Sequence, residues 1–567
     1  MKIKLLLSLF MGSALSLSAQ GYLDGVEYYR ADEFSAAKTI FERTMDDAST
    51  DKATVHYYLG QIALKEATSN SEKLDAAKVN EAKKHFEDGI AANPNNKYNY
   101  VGLAAIDLLN GDKKSADKNI KLGFDKKDVQ LIVDIARTYY DADAVAYNND
   151  VQKYMKTAYK ADSKHPAYFI FIGDTLAMTA GSDNVKVGTA AGYYENAIMY
   201  DPNSAVAYVK YSGLYEGVNP KFSVAKMEEY LKVNPNSALA LREVADRYYD
   251  DGRWTLANDA YAKCIKNPSH LIEDEERYAV LLMSGEKYEE ACKMAEGVIG
   301  KVEKPNTAYR VLMHSNNSLK NYAEAAKWAN ELMKSKGVEK IIEKDHITYG
   351  NILENLAQAD SVNAEANLNA AIAQYKEALA IDNKCIDAYK ALSNLYRSIN
   401  DYANAVGCFD QFVATGEAKA GDYHNYAGLL LNYANRLVDT DSVAAVETYD
   451  RAVAAGAEAV KRSENPYAQY RVAQIYFSKN KGVINADVAH AYEKVVEMLD
   501  KDPSNITSDP ATYKEALAMI GDFYRKENNY EKAIAAYERY LIVNPSNQKV
   551  VDLVAKMKEI LANPESK

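Results

Sequence analysis

The sequence predicts an all-α solenoid, a stack of helix pairs, on three observations. A small residue followed three positions on by an aromatic or aliphatic one recurs thirteen or fourteen times. In each copy an alanine stands about nine positions later, an aromatic four beyond it and often a proline about eight further. Spacings of three and four put these residues on one stripe of a first helix and one stripe of a second. The composition agrees, with Tyr 45, Trp 2, Gly 27 and Pro 12 in 567 residues and no stretch that alternates like a series of strands and turns. A chain this long would ordinarily divide into several globular cores, but a stacked array has no such size limit.

In chain order the first copies are the loosest. Gly25, Tyr28, Ala37 and Phe41 open the array, followed by Leu59, Gly60, Ala63, Ala82, Phe86 and Pro94. Next come Gly102, Ala105, Gly111 and Ala116, then Ala136, Tyr139 and Pro166, then Gly173, Leu176, Ala190, Tyr194, Ala197 and Pro202. From Ser212, Tyr215, Ala225 and Pro235 the register tightens, through Ala245, Tyr248, Gly252, Trp254, Ala257, Tyr261 and Pro268. Ala279 and Tyr288, Leu312 and Tyr322, Gly350 and Tyr375, Ser393 and Phe409, Gly428 and Tyr449, and Ala473 and Ala489 carry it forward. The clearest copy is the last: Gly521, Tyr524, Tyr530, Ala533, Tyr537, Tyr540 and Pro545. There Asn528-Asn529 punctuates between the helices and Asn544-Pro545 ends the second. Residues 550 to 561 read as an amphipathic helix that caps the stack before Pro564.

With a period near 34 residues this pattern resembles the tetratricopeptide repeat, over nearly the whole chain. The resemblance implies a right-handed superhelix in which first helices line an inner groove. The small residues allow helices to approach within about 8–10 Å, and the aromatics fill the gap between pairs. Terminal pairs are expected to need a polar outer face. The predicted organisation is a signal peptide at 1–20, divergent repeats at 21–235, regular repeats at 236–546 and a capping helix and tail at 547–567. Polar insertions within the second, fifth, tenth and twelfth copies read as loops or extended helix ends.

Residues 1–20 carry Lys2, Lys4, a short apolar run broken by Ser8, Gly12, Ser13 and Ser16, and a small-residue end at Ser18-Ala19. This is the pattern of a cleavable secretory leader, and no cysteine stands at its end to take a lipid. The expected location is therefore the periplasm or the outer-membrane region, without a lipid anchor. Net charge is -12, opposite to what a nucleic-acid binder needs. Cys264, Cys292, Cys385 and Cys408 read as buried free thiols ahead of a disulfide or a metal site, since CxxC and paired-His spacings are missing.

No catalytic, cofactor or metal motif is present. The eight histidines are scattered, and GxGxxG, GxxxxGK[ST], HExxH and calcium-loop patterns are all absent. The expectation is a non-enzymatic scaffold without cofactor that binds proteins or peptides of the cell envelope within a larger complex, with an accessory subunit of an envelope or secretion complex as one alternative. A solenoid that binds a small molecule or glycan is the other alternative. Three first helices double their tyrosine, so that Tyr29, Tyr140 and Tyr249, about 100° round from their neighbours, turn toward the groove or the adjacent pair. The family resemblance also implies part of a carboxylate clamp at Lys390, Asn394 and Arg471, with Tyr426 and Tyr467 standing where two further clamp residues would be. Finally, Asp174-Thr175-Leu176, Asp360-Ser361-Val362 and Asp441-Ser442-Val443 resemble an acceptor motif for O-glycosylation of secreted bacterial proteins.

Overall fold

A computed structural model describes residues 21–69, 74–335 and 340–563, so the leader and the last four residues lie outside the described part. Among the described residues there are thirty helices and no strand. Twenty-eight of them alternate as fourteen first and second helices, from 21–30 and 34–44 to 510–526 and 530–543. The other two are a single turn at Pro503–Ser508 and the helix Gln548–Ala562.

Short polar residues set the boundaries. The side chains of Asp128, Ser237, Asp441 and Asn529 accept hydrogen bonds from the first free backbone N–H groups of the helices they precede. Between the two helices of a pair the chain often needs one left-handed residue. In some pairs that place is taken by Gly111 (φ 78°), Gly252 (φ 69°) or Asn528 (φ 59°), residue types with little or no penalty there, and in others by Glu286 (φ 60°), Lys320 (φ 62°) or Lys481 (φ 54°). Where they are described, the polar insertions combine short connections with extended helix ends, in helices of 17 to 21 residues at 52–68, 184–200, 364–381 and 442–462, and residues 70–73 of the second copy's insertion lie outside the described part.

The signature positions meet as their sizes require. A Cβ added at Gly173, Gly350 or Gly521 would lie 2.4–2.6 Å from the ring of Tyr194, Tyr375 or Tyr537 on the second helix of the same pair. Phe86 fills the space against both Gly60 of its own pair and Gly102 of the next. The tyrosines also do something that size alone does not predict. On second helices, Tyr194, Tyr375, Tyr449 and Tyr537 donate their hydroxyls to Asp174, Asn351, Asn435 and Asp522 of the preceding first helix, at 2.5–2.9 Å. On first helices, Tyr248, Tyr349 and Tyr524 donate to Glu228, Asn330 and Glu493 of the pair before, at 2.6–2.8 Å. One set closes these four pairs and the other ties pairs together. An arginine completes several of these contacts, as where Arg451 reaches both Asp410 and Tyr426 at 2.6 and 2.7 Å. Burying a ring with its hydroxyl satisfied avoids the penalty of an unpaired polar group, which accounts for tyrosine rather than phenylalanine at so many positions.

The chain forms two compact units, residues 1–319 and 320–567. This division is a different one from the change in repeat regularity expected at residue 235. In the N-terminal unit the first helix, Gly21–Arg30, packs on Ala205–Gly213 and Ala238–Asp250 as well as on its sequence neighbours. Tyr28 is fully buried in one core shared by residues 28–106 and 205–281. The N-terminal pair therefore docks onto later repeats instead of presenting a polar outer face, contrary to the simple expectation for a terminal repeat. In the C-terminal unit the packing runs between consecutive helices and between successive first helices. Helix Gln548–Ala562 covers its end with Val550, Val554 and Met557 on Tyr537 and Ile534. All four cysteines are unpaired, and only Cys264 is fully buried.

Candidate functional site

Docking of the first helix in the N-terminal unit closes the inner faces of six successive first helices around a cavity of about 660 Å³. Residues of 21–30, 52–68, 98–109, 129–143, 166–178 and 205–213 line it. Its apolar part includes Leu64, Ala105, Val133 and Ile170, and its aromatic part Tyr29, Tyr57 and Tyr140.

The polar lining is organised as ion pairs between distant repeats. Arg30, at the end of the first helix, bonds Asp134 at 3.1 Å and the Tyr58 hydroxyl at 2.6 Å, with its guanidinium over the Tyr58 ring. Gln130 donates to the same Asp134 at 2.9 Å. Arg137 bonds Asp174 at 2.6 Å and lies over Phe171. Asp174 also receives Tyr194 at 2.9 Å and Lys210 at 3.1 Å, and Lys210 reaches Asp32 at 2.6 Å. Lys65 pairs with Asp141 at 2.8 Å. Burial pushes the Tyr29 hydroxyl far above the usual phenol range, helped by Asp141 and Asp134, so it stays protonated. Burial works against the charge on Arg30 and Arg137, but Asp134 and Asp174 outweigh it and hold both guanidiniums charged.

Of the three doubled tyrosines, the structure brings Tyr29 and Tyr140 together on this cavity wall. Tyr249 lies elsewhere, between the helices of its own pair, edge-on to Trp254 at 5.4 Å and to Tyr261 at 6.4 Å. The clamp-like residues belong to the C-terminal unit. Lys390 is ion-paired to Asp422 at 2.7 Å and lies over Phe412, Asn394 is exposed, and Arg471 bonds Gln474 at 3.3 Å. Tyr426 is occupied by Asp410 and Arg451, and Tyr467 is exposed. Lys390 and Arg471 thus already have protein partners.

Asp174-Thr175-Leu176 sits inside a helix, with Asp174 buried in its ion pairs and the Thr175 hydroxyl donating to the Ile172 carbonyl at 2.9 Å. Asp360-Ser361-Val362 is an exposed connection after a helix end, and Asp441-Ser442-Val443 an exposed helix start. Arg30, Gln61, Asp134 and Arg137 carried no sequence signal as site residues. The partners of Arg30, Asp134 and Arg137 stand up to 104 positions away, and no local spacing reports such pairs. Among the described residues no group of three or more His, Cys, Asp or Glu is arranged to hold a metal ion, and no helix is long and apolar enough to cross a membrane.

Residues 516–549 match the model of the tetratricopeptide repeat family. No curated protein matches the chain significantly. Similar solved structures include the C-terminal part of a TPR repeat-containing protein from Cytophaga hutchinsonii, 18% identical with a TM-score of 0.39 over 49% of this chain and 98% of that one. A tetratricopeptide repeat protein from Parabacteroides merdae is 13% identical with a TM-score of 0.27, covering 47% and 98%. Yeast Tom70 is 12% identical with a TM-score of 0.27, covering 81% and 99%.

Proposed function

We propose that this tetratricopeptide-repeat chain is a non-enzymatic scaffold that binds other proteins, exported to the cell envelope. The observation that carries the reading is the array itself: fourteen helix pairs whose signature residues are used up in packing one pair on another. Such a fold fixes the shape of a surface and supplies no chemistry of its own, so function lies in the exposed side chains of its first helices. In the C-terminal unit those include Asn394 and Tyr467, with Lys390 and Arg471 beside them. Export is supported by the lysines, short apolar run and small-residue end of residues 1–20.

The test is affinity purification of the tagged chain from its own cells, followed by mass spectrometry and N-terminal sequencing of the bait. A protein retained in stoichiometric amount, and lost with the triple variant Lys390→Ala, Asn394→Ala and Tyr467→Ala, is the expected result. A bait that elutes alone would sink the scaffold, and a bait beginning at Met1 instead of near Gln20 would sink export.

A further inference from the structure

The cavity of the N-terminal unit is not needed for a protein scaffold, and its chemistry is specific. At about 660 Å³ it is far too small for a folded partner and falls within the range of small-molecule sites. Most of its charges are answered inside the protein: Arg30 by Asp134, Arg137 by Asp174, Lys65 by Asp141, and Asp32 by Lys210, while the Asp201 carboxylate at the wall accepts from the Asn203 backbone N–H. A ligand carboxylate or phosphate would have to separate one of these pairs or face an aspartate, and a ligand ammonium would meet a guanidinium. Either would leave a charge poorly matched in a partly desolvated space, which is costly.

A neutral ligand rich in hydroxyls meets no such penalty. Each guanidinium has five N–H donors, of which its aspartate uses only some, and each carboxylate keeps unused lone pairs beside them. A hydroxyl both donates and accepts, so it can bridge the two members of an ion pair without breaking it. The Gln61 amide and the Tyr29 and Tyr140 hydroxyls, all on the lining, have no side-chain hydrogen-bond partner among the described residues. The partly buried rings of Tyr29, packed against Phe34 and Tyr58, and Tyr140, packed against Phe171, add apolar surface of the kind that packs on the C–H face of a sugar ring.

We propose that this cavity is a binding site for a neutral saccharide of a few sugar units, held by the Arg30–Asp134 and Arg137–Asp174 pairs, Gln61, and the tyrosines at 29 and 140. The site lies wholly within the N-terminal unit, so it stands or falls separately from partner binding by the C-terminal unit.

The full chain, with any leader removed, would be titrated by calorimetry with neutral trimers of glucose, mannose and N-acetylglucosamine. Trimers of glucosamine and of galacturonic acid serve as cationic and anionic counterparts. At least one neutral trimer should bind one per chain, and each charged counterpart at least about tenfold more weakly, the weight of one misplaced polar contact. Gln61→Leu and Tyr140→Ala should each weaken binding about tenfold on the same reasoning. Tyr140→Phe, which keeps the ring, should lose less than Tyr140→Ala and guards against a packing defect. The proposal is overturned if no neutral trimer binds, if a charged trimer binds as well as the best neutral one, or if Gln61→Leu and Tyr140→Ala both leave binding unchanged.

Discussion

The N-terminal and C-terminal units are built from the same repeat, yet they use it differently. In residues 320–567 the contacts run from pair to pair and an amphipathic helix seals the end. In residues 1–319 the first helix instead docks on helices about two hundred residues away, and the seam joins the signature residue Tyr28 to polar residues outside the repeat pattern. Arg43 donates to the His270 carbonyl at 2.9 Å, Lys210 bonds Asp32, and Arg30 bonds Asp134. A repeat signature therefore governs how neighbours stack, while the closure of the N-terminal unit on itself adds a shared buried core around Tyr28 and a handful of charged contacts.

The contrast is broken most directly by removing a buried ring from each unit. Tyr28→Ala and Tyr537→Ala should each cost about 3–5 kcal/mol in chemical denaturation, the range for large-to-small aromatic substitutions. Their hydrogen-exchange footprints should differ. Tyr537→Ala should expose amides in 510–526, 530–543 and 548–562 and leave distant repeats protected. Tyr28→Ala should loosen both 21–44 and the sequence-distant 238–250. Equal, strictly local footprints for both would show that the seam contributes nothing.

A smaller effect sharpens the shared part. Gly350→Ala favours the helix by about 1 kcal/mol in intrinsic propensity. Its new methyl, however, would lie 2.4 Å from the Tyr375 ring, and overpacking of that kind typically costs about 1–3 kcal/mol. A net loss in melting temperature is expected, and a gain would mean that the small residue is not required by packing.

The smallest expected effect is a pH dependence at the seam of the N-terminal unit. Burial, reinforced by Asp24, raises the Glu27 carboxyl to about 7. Burial likewise raises Glu243 to about 7, with Glu33 and Asp246 adding to it and Arg247 opposing. Both residues lie on helices that meet at the seam. A carboxyl raised from 4.5 to about 7 on folding carries no penalty below the lower value, a growing one between them and the full one above the higher. The unit should thus be more stable at about pH 5 than at about pH 8, by on the order of 1 kcal/mol per group given their partial exposure. Thermal melts of Glu27→Gln and Glu243→Gln should show a flatter slope over that range, and an unchanged slope would remove these groups from the seam.

Much of the fold was legible because helical pairing is local. The spacing of Gly521, Ala533 and Tyr537 specified two helices and the contact between them, and Asn528-Asn529 specified the turn and the next cap. The amphipathic pattern of residues 550–561 specified the C-terminal seal. Tyrosine abundance was visible, but its hydroxyl bonds to Asp, Glu and Asn on the facing helix were not, since those partners stand at varied spacings. Doubled tyrosines marked Tyr29 and Tyr140 as turned away from their own pair, but nothing local separated them from Tyr249, which fills its own pair beside Trp254. The sequence by itself determined the helix pairs, their stacking and their caps, because residues three, four and about thirty-four positions apart report on neighbours. Only the tertiary structure decided that the first helix closes on the sixth and seventh pairs and that Arg30, Asp134, Arg137 and Asp174 face one cavity. Contacts across so many repeats depend on small rotations accumulated from pair to pair, which no single spacing records.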